Sequence, residues 1–389
     1  MHLDFEFYNP TRIYFGRNAL SHLYEELAHF GKNVLLLYGG GSIKKIGLYE
    51  RVIEILKQAD KNIFECGGVM PNPTLKKMME GAEMVRDHQI DLILAVGGGS
   101  VIDCAKGISV AAYCPDEPFR KYWLDAEKTI QHPVVPVGTV LTMVGTGSEM
   151  NGGSVITNEE LKLKIGRVFP PEVYPKFSIL NPEYTFSVPK YQMLSGIFDI
   201  MSHLMEQYFS DEEDITSDYL IEGLMRSLLH STKQAIENPL DYEARSNIMW
   251  TSTMALNRMV GVSKTQDWMV HAIEHQLSAY TDCAHGMGLA AISTVYYRYI
   301  CPYGLKKFVR FATQVFQVDA MNKTEEEIAE EGLNRLNAFI RESGMATTLK
   351  ELGATREMLP LIADSCKEGG AYRHISRKEI LEILNLCFE

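Results

Sequence analysis

The sequence has no long apolar run, no cysteine pair with CxxC spacing and no excess of positive charge, and each absence excludes a class of protein. No apolar stretch approaches the ~20 residues that a membrane-spanning helix needs. The seven cysteines are scattered along the 389 residues, which disfavours both a disulfide framework and a thiolate metal site. A net charge of -12 would repel nucleic acid and anionic membranes. We therefore expect buried, reduced thiols and neither a nucleic-acid partner nor a membrane partner.

The N-terminal residues carry no targeting signal that we recognise. The opening Met1-His2-Leu3-Asp4-Phe5-Glu6 lacks the basic start and the apolar core of a signal peptide. The composition, with 46% hydrophobic and 23% charged residues, is that of an ordinary globular protein. The sequence thus predicts a cytoplasmic protein.

The two halves of the chain differ in hydrophobic pattern. In the first half, apolar runs at 33–38 and 91–96 alternate with amphipathic segments, which predicts a parallel sheet with crossover helices. After about Pro189, helical periods of 3.6 residues follow one another at 191–209, 214–236, 241–259 and 266–280. We therefore predict a Rossmann-like α/β dinucleotide-binding domain over residues 1–185 and an all-helical, metal-binding and catalytic domain over residues 186–389. Two domains imply a cleft.

Loops rich in glycine and other small residues follow three apolar runs, namely 33–38, 91–96 and a third at 133–137 that leads into the loop 138–149. Gly97-Gly98-Gly99-Ser100 stands between a predicted strand and a helix that carries Asp103 in its first turn. Glycine lets the backbone approach a pyrophosphate, and the amides at a helix start donate to it. Gly98, Gly99, Ser100 and, less directly, Asp103 are therefore candidate cofactor residues. The alternatives are a tight turn for the glycines and a helix-dipole role for Asp103.

The first glycine loop bears on the choice of cofactor. Folds that prefer NAD commonly place an acid near the adenosine ribose, whereas this turn reads Gly39-Gly40-Gly41-Ser42-Ile43-Lys44-Lys45. Ser42 can donate to a 2′-phosphate, and a lysine can add positive charge. Gly40, Gly41 and Ser42 therefore favour NADP(H), although an ordinary glycine turn before a solvated basic helix would look the same.

Metal-binding residue types cluster in the helical half. Asp199 and His203 are spaced i, i+4, as are His271 and His275, and His285 follows within a His-Gly-Met-Gly segment. This spacing places two side chains on one helical face. Any one of these histidines could be an ordinary core residue, but their joint occurrence indicates a centre of one aspartate with imidazoles. Such a set suits Zn(II) or Fe(II), and ligand type alone does not separate the two metals.

Taken together, these motifs resemble the iron-containing, group III alcohol dehydrogenases, in particular their butanol dehydrogenase and aldehyde reductase branch. The resemblance covers nearly the whole chain, with its motifs in the family's order: Phe7-Tyr8-Asn9-Pro10-Thr11-Arg12-Ile13-Tyr14-Phe15-Gly16, Pro71-Asn72-Pro73, Gly97-Gly98-Gly99-Ser100-Val101-Ile102-Asp103, Gly145-Thr146-Gly147-Ser148-Glu149-Met150-Asn151, and the two histidine segments.

The resemblance implies a role for individual residues. It implies that the metal ligands are Asp199, His203, His271 and His285 and that His275 lies near the nicotinamide, outside the metal shell. It further implies the following cofactor contacts: the pyrophosphate at Gly98, Gly99 and Ser100, the adenine and ribose at Thr139 and Thr142, and the nicotinamide ribose at Lys164 in preference to Lys162. It supports NADP(H), with NAD(H) as the other option, and implies a homodimer.

The expected reaction is hydride transfer between the nicotinamide and a metal-polarised aldehyde, with short-chain primary alcohols such as butanol as the reverse substrates. His275 is the candidate for proton transfer. Three other functions remain open, namely a polyol dehydrogenase related to glycerol dehydrogenase, a dehydroquinate synthase, and a regulator without catalysis. The synthase would need a basic cluster for an anionic substrate, which this acidic chain does not display. A regulator would have lost a ligand or a cofactor loop.

Overall fold

A computed structural model describes residues 3–210 and 215–389. One compact unit comprises Tyr8–Val188, and the other comprises Pro189–Glu389 as far as it is described, together with the described residues before Tyr8. The expected boundary after residue 185 lies three residues before this division. The predicted helix start at 214 falls outside the described residues, as do Met1 and His2 of the N-terminal segment that lacks a signal peptide pattern. Among the described helices, none is long and apolar enough to cross a membrane.

The first unit is built on a six-stranded parallel sheet in the order β1-β8-β5-β4-β2-β3. Its central strands are apolar and buried almost throughout, as expected where helices cover both faces of a parallel sheet. The strands are β1 Arg12–Phe15, β2 Asn33–Tyr38, β3 Asn62–Cys66, β4 Leu92–Gly97, β5 Val137–Leu141 and β8 Phe177–Leu180, and β6 Gly153–Asn158 and β7 Leu163–Val168 form a separate antiparallel hairpin. The helices are α1 Leu23–Leu27, α2 Ser42–Lys45, α3 Leu48–Gln58, α4 Leu75–Asp87 and α5 Gly99–Ala111.

The three glycine-rich loops meet at one edge of this sheet. Strands β2, β4 and β5 are neighbours and run parallel, so their carboxyl ends lie side by side. Ligands of open α/β sheets bind at this edge. The third loop begins later than the sequence predicts, because β5 starts at Val137 and continues to Leu141. Proline lacks the amide that a strand pairing needs, and Pro136 takes part only through its carbonyl, which accepts from Ile93 N at 2.9 Å.

The second unit is helical, which confirms the predicted fold class. Helix α8, Tyr242–Ala255, ends before the predicted residue 259, because Asn257 Oδ1 accepts from Met259 N at 3.0 Å and this local turn replaces the helical hydrogen bonds. The chain then passes through left-handed residues, including Trp268 (φ 61°), before the next helix begins. The helices are α6 Lys190–Tyr208, α7 Ile215–Glu237, α8 Tyr242–Ala255, α9 Met269–Thr281, α10 His285–Ile300, α11 Leu305–Gln314, α12 Glu325–Ser343, α13 Met358–Ser365 and α14 Arg377–Leu386.

Candidate metal centre and cofactor loops

Three helices of the second unit bring the predicted ligand side chains together. Asp199 and His203 lie one turn apart on α6, His271 lies on the first turn of α9, and His285 is the first residue of α10. The Nε2 atom of each histidine is 3.5 Å from Asp199 Oδ1. One carboxylate oxygen is thus surrounded by three imidazole nitrogens at a common distance.

The chemistry of this cluster fits a divalent cation. Asp199 Oδ1 and His271 Nε2 are buried and accept or donate no hydrogen bond within the described part of the chain. Buried polar atoms are almost always paired, and a cation bound between these two atoms would give each of them a partner. The ligand atoms of Asp199, His271 and His285 all lie within 4.8 Å of one another. Three imidazoles and one carboxylate are donors that Zn(II) and Fe(II) accept.

Two buried glutamates are hydrogen-bonded to histidines of the centre through the ring nitrogen that does not face Asp199. Neither glutamate was identified from the sequence. Glu206 Oε2 is hydrogen-bonded to His271 Nδ1, and Glu274 Oε2 is hydrogen-bonded to His285 Nδ1. Each glutamate follows a histidine of its own helix by three residues, Glu206 after His203 and Glu274 after His271. That spacing is the signal that could have identified them, because it puts an acid on the same helical face.

The charges of the centre shift the pKa values of its members. Burial by itself raises the pKa of Asp199, but the imidazoles, His203 and His285 foremost, outweigh burial and lower that pKa well below its ordinary value. Burial lowers the pKa of His271, whereas Glu206 and Asp199 raise it to about 10. Protons and a metal ion therefore compete for the same imidazole.

His275 lies beside this cluster on α9. Its ring centroid is 6.1 Å from that of His271 and 5.4 Å from that of His285. The side chain is half-buried, unlike those of Asp199 and His271, which are buried. His275 is absent from the group of ligand atoms around Asp199, but its ligand atom and those of Glu274 and His285 lie within 4.8 Å of one another.

In the first unit, packing leaves little space for a side chain at the glycines that begin α5. A Cβ atom on Gly98 would lie 3.1 Å from Met143 Cβ, and one on Gly99 would lie 2.3 Å from Thr146 Oγ1. The amide of Thr142 donates to Gly97 O at 2.9 Å and joins the same two loops. Close packing between loops thus explains part of the glycine pattern. Thr146, which approaches the helix start, was not singled out from the sequence, although it belongs to the Gly-Thr-Gly-Ser-Glu segment.

Asp103 and Thr139 are buried and hydrogen-bonded to other residues of the first unit. Asp103 is buried, and its carboxylate accepts from Ser148 Oγ and from Val155 N, the latter at 2.9 Å. Thr139 is fully buried within β5, and its hydroxyl donates to Ser178 Oγ at 2.7 Å. The contact of Thr139 with the adenine and ribose, which the family resemblance implies, stays a prediction for this buried residue of β5.

The two candidate lysines of the β6–β7 hairpin differ in their settings. Lys162 is exposed and adopts a left-handed conformation (φ 50°) in the turn. Lys164 belongs to β7, pairs in register with Thr157 and is only 4% exposed. A buried ammonium group needs polar partners, whereas an exposed one is solvated. The structure thus distinguishes Lys164 as the lysine with a constrained position.

A buried lysine stabilises the loop that follows β5. Lys106 on α5 is completely buried, and its Nζ donates to Ser148 O at 3.0 Å, to Asn151 O at 3.1 Å and to Asn151 Oδ1 at 3.3 Å. Burial lowers the pKa of Lys106 to about 8, against the opposing charges of Asp103 and Glu149. The ammonium joins α5 to the Gly-Thr-Gly-Ser-Glu loop.

This lowered pKa predicts a pH-dependent stability. Between pH 8 and 10.5 the unfolded chain, with the ordinary lysine pKa of 10.5, binds a proton that the folded chain has released. The free energy of unfolding of the wild type, relative to Lys106→Met, should therefore rise with pH across this window. Urea titrations at several pH values test this, with the exposed Lys57→Met variant as the control. A difference between wild type and Lys106→Met that does not change with pH would contradict it.

Comparison with known proteins identifies the family. The profile "Iron-containing alcohol dehydrogenase" matches residues 10–182, and "Fe-containing alcohol dehydrogenase family, C-terminal" matches residues 193–388. The chain belongs to the iron-containing alcohol dehydrogenase family. This confirms the resemblance expected from the sequence motifs and makes the protein an oxidoreductase of the alcohol dehydrogenase class.

Individual relatives of this iron-containing alcohol dehydrogenase match over nearly their full length. It is 41% identical over 385 residues to "Probable NADH-dependent butanol dehydrogenase 1" of Bacillus subtilis, covering 98% of each chain. It is 32% identical to "NADPH-dependent aldehyde reductase YqhD" of Escherichia coli, covering 94% of each chain. The crystal structure of an NADH-dependent butanol dehydrogenase A from Thermotoga maritima superimposes with a TM-score of 0.94 at 36% identity, covering 100% of both chains.

Proposed function

We propose that this protein interconverts short-chain aldehydes and primary alcohols, such as butanal and butanol, with a nicotinamide cofactor and one divalent metal. The observation that carries the proposal is the common 3.5 Å distance of three imidazole Nε2 atoms from Asp199 Oδ1. The names of the relatives, butanol dehydrogenase and aldehyde reductase, support the substrate class. No described feature favours the polyol, synthase or regulator alternatives.

Different residues of the chain would bind the metal and the cofactor in this reaction. A bound metal supplies Lewis-acid polarisation of the carbonyl oxygen, and a bound nicotinamide supplies the hydride. The metal would be held by Asp199, His203, His271 and His285. The cofactor would be held by the amides of Gly98, Gly99 and Ser100 at the start of α5, with Lys164 at the nicotinamide ribose and Thr142 at the adenine side.

We propose His275 as the residue that moves the proton. An imidazole can exchange a proton near neutral pH, and His275 is half-buried next to His285. We expect His275→Ala to lower kcat for aldehyde reduction by about 100-fold, the usual order for general acid catalysis, and to change the pH–rate profile. His275→Gln retains a polar side chain without a titratable group and serves as the comparison. Unchanged turnover and pH profile in both variants would show that the proton takes another route.

We propose NADP(H) as the preferred cofactor. The turn after β2 is exposed at Gly40 and contains no acid before α3 begins at Leu48. Lys44 lies near this turn, with its Nζ 4.5 Å from the centroid of the Tyr49 ring. The relatives do not agree on this point, since the Bacillus subtilis protein, at 41% identity, is named as NADH-dependent and the Escherichia coli protein, at 32% identity, as NADPH-dependent. The proposal therefore rests on the composition of the turn.

A single substitution at the turn tests the preference. A Cβ atom on Gly40 would have no neighbour within 4 Å, so a side chain fits there. We expect Gly40→Asp to raise the KM for NADPH by about tenfold or more, because a carboxylate repels a 2′-phosphate, and to change the KM for NADH much less. Gly40→Asn has the same size without the charge and is the control. An equal effect of both substitutions on both cofactors would rule out charge as the basis of selection.

Steady-state reduction of butanal tests the function as a whole. Metal-free protein is reloaded separately with Fe(II) and with Zn(II), and each form is assayed with NADPH and with NADH. Metal-dependent turnover supports the proposed reaction, and its rates decide between iron and zinc. Inactivity of every form, with glycerol oxidation present instead, would favour the polyol alternative. The homodimer, testable by sedimentation, and the cytoplasmic location stay predictions from the sequence.

A further inference from the structure

The two nitrogen atoms of His285 face different groups. Its Nε2 is 3.5 Å from Asp199 Oδ1 and belongs to the proposed metal centre. Its Nδ1 lies on the opposite side of the ring and is hydrogen-bonded to Glu274 Oε2. The side chain of His285 is 22% exposed, compared with 8% for His271, so less of its orientation is determined by surrounding packing. The contact with Glu274 therefore has a larger share in holding this ring.

The residues around Glu274 hold its carboxylate in place. The residue is completely buried on α9, and its second oxygen, Oε1, accepts from Ser278 Oγ one helical turn later. A Cβ atom on Gly288 would lie 2.7 Å from Glu274 Cγ and 3.1 Å from its Oε1. The second glycine of the His-Gly-Met-Gly segment thus gives Glu274 the space to reach His285.

Glu206 has a similar contact with a histidine, but it also accepts hydrogen bonds from backbone amides. It is hydrogen-bonded to His271 Nδ1, and its Oε1 also accepts from the amides of Val270 at 2.6 Å and His271 at 3.1 Å. These amides begin α9, where orphan donors need acceptors. Substituting Glu206 would therefore disturb the helix as well as the imidazole. Glu274 accepts from side chains on both of its oxygens and is the better residue to test.

We propose that Glu274 is a positioning residue for the metal, which acts by fixing the orientation and tautomer of His285. A carboxylate that accepts from Nδ1–H keeps the lone pair on Nε2, where a metal ligand needs it, and makes that nitrogen more basic. The inference rests on the proposed metal centre. It adds a residue that touches neither metal nor substrate and yet determines how tightly the metal is retained.

Measurements of metal affinity test the role of Glu274. Metal-free full-length variants compete with a chromogenic chelator for Zn(II), and their Co(II) forms are compared by visible absorption. We expect Glu274→Gln, which keeps an acceptor oxygen without the charge, to weaken Zn(II) binding by about 10-fold and Glu274→Ala by about 100-fold, the range for such outer partners. The Co(II) spectrum of Glu274→Ala should also change, because His285 is no longer held.

A matched control separates this role from the loss of any buried carboxylate. Glu222 is equally buried in the same unit, but it accepts from Tyr208 Oη at 2.8 Å and pairs with Arg310. Glu222→Gln should leave the Zn(II) affinity and the Co(II) spectrum unchanged. If Glu274→Ala does not fold, Glu274→Gln and Ser278→Ala decide, with a smaller loss expected for Ser278→Ala.

The outcomes distinguish this inference from the one on which it rests. Wild-type protein that binds no Zn(II) and no Co(II) overturns the metal centre itself. Wild-type protein that binds one equivalent, together with Glu274 variants of the same affinity and spectrum, overturns only the role of Glu274. Graded weakening from Glu274→Gln to Glu274→Ala, with Glu222→Gln unaffected, supports it.

Discussion

Asp199→Asn is expected to reduce bound metal to below about a tenth of an equivalent and to lower aldehyde reduction by about 1000-fold or more. Asp199 Oδ1 is the atom that all three imidazoles share at 3.5 Å. Asparagine has the same shape, but it lacks the charge that attracts a cation. A Lewis-acidic metal contributes several kcal/mol to catalysis, and about 4 kcal/mol corresponds to a factor of 1000.

The measurement pairs metal content by atomic absorption with kcat/KM for butanal. Asp241→Asn is the matched control, because Asp241 caps α8 in the same unit and asparagine caps a helix equally well. This control should keep its metal and its activity. Full activity of Asp199→Asn after removal of all metal would show that the reaction does not depend on this centre.

Gly286→Ala is expected to lower the free energy of unfolding by about 3 kcal/mol or more, at the upper end of the cost of overpacking. A Cβ atom on Gly286 would lie 1.8 Å from Ser195 O and 2.6 Å from Ser195 C, which are backbone atoms of α6. The amide of Gly286 also donates to Ser195 Oγ at 3.1 Å. Relief of the clash must separate α10 from α6, and this moves His285 away from Asp199. Zn(II) binding should therefore weaken together with stability.

Gly223→Ala is the matched control for this substitution. Gly223 lies within α7, and a Cβ atom there would have no neighbour within 4 Å. Alanine favours a helix over glycine by about 1 kcal/mol, so this variant should be more stable than the wild type. Thermal unfolding and Zn(II) titration of both variants test the pair. Equal stability of Gly286→Ala and wild type would mean that α6 and α10 are not packed so closely.

The features read correctly from the sequence are those that depend on residues near one another in the chain. The runs at 33–38 and 91–96 become β2 and β4 because unbroken apolar runs followed by glycine suit buried parallel strands. The i, i+4 spacing of Asp199 and His203 puts both on one face of α6, whatever that helix packs against. The family followed from the order of such local motifs.

Other features arise from contacts between distant segments. Glu274 and His285 are eleven residues apart on different helices, and Glu206 and His271 are 65 residues apart. No periodicity connects such pairs, so the i, i+3 spacing from a histidine of its own helix could mark each glutamate but could not show which histidine it contacts. The family resemblance implied Thr139 at the adenine and ribose, and only the strand pairs on either side of β5 show that this residue is buried.

The sequence alone thus determined the fold class and the family and predicted the metal ligands, because local hydrophobic period, glycine position and donor type are properties of short segments. Only the tertiary structure decided which nitrogen of His271 and of His285 faces Asp199, what holds each ring in place, and why Gly286 and Gly288 must lack side chains. These features depend on how α6, α9 and α10 pack, and the contacts that bring distant residues to within a few ångströms are a property of the folded chain.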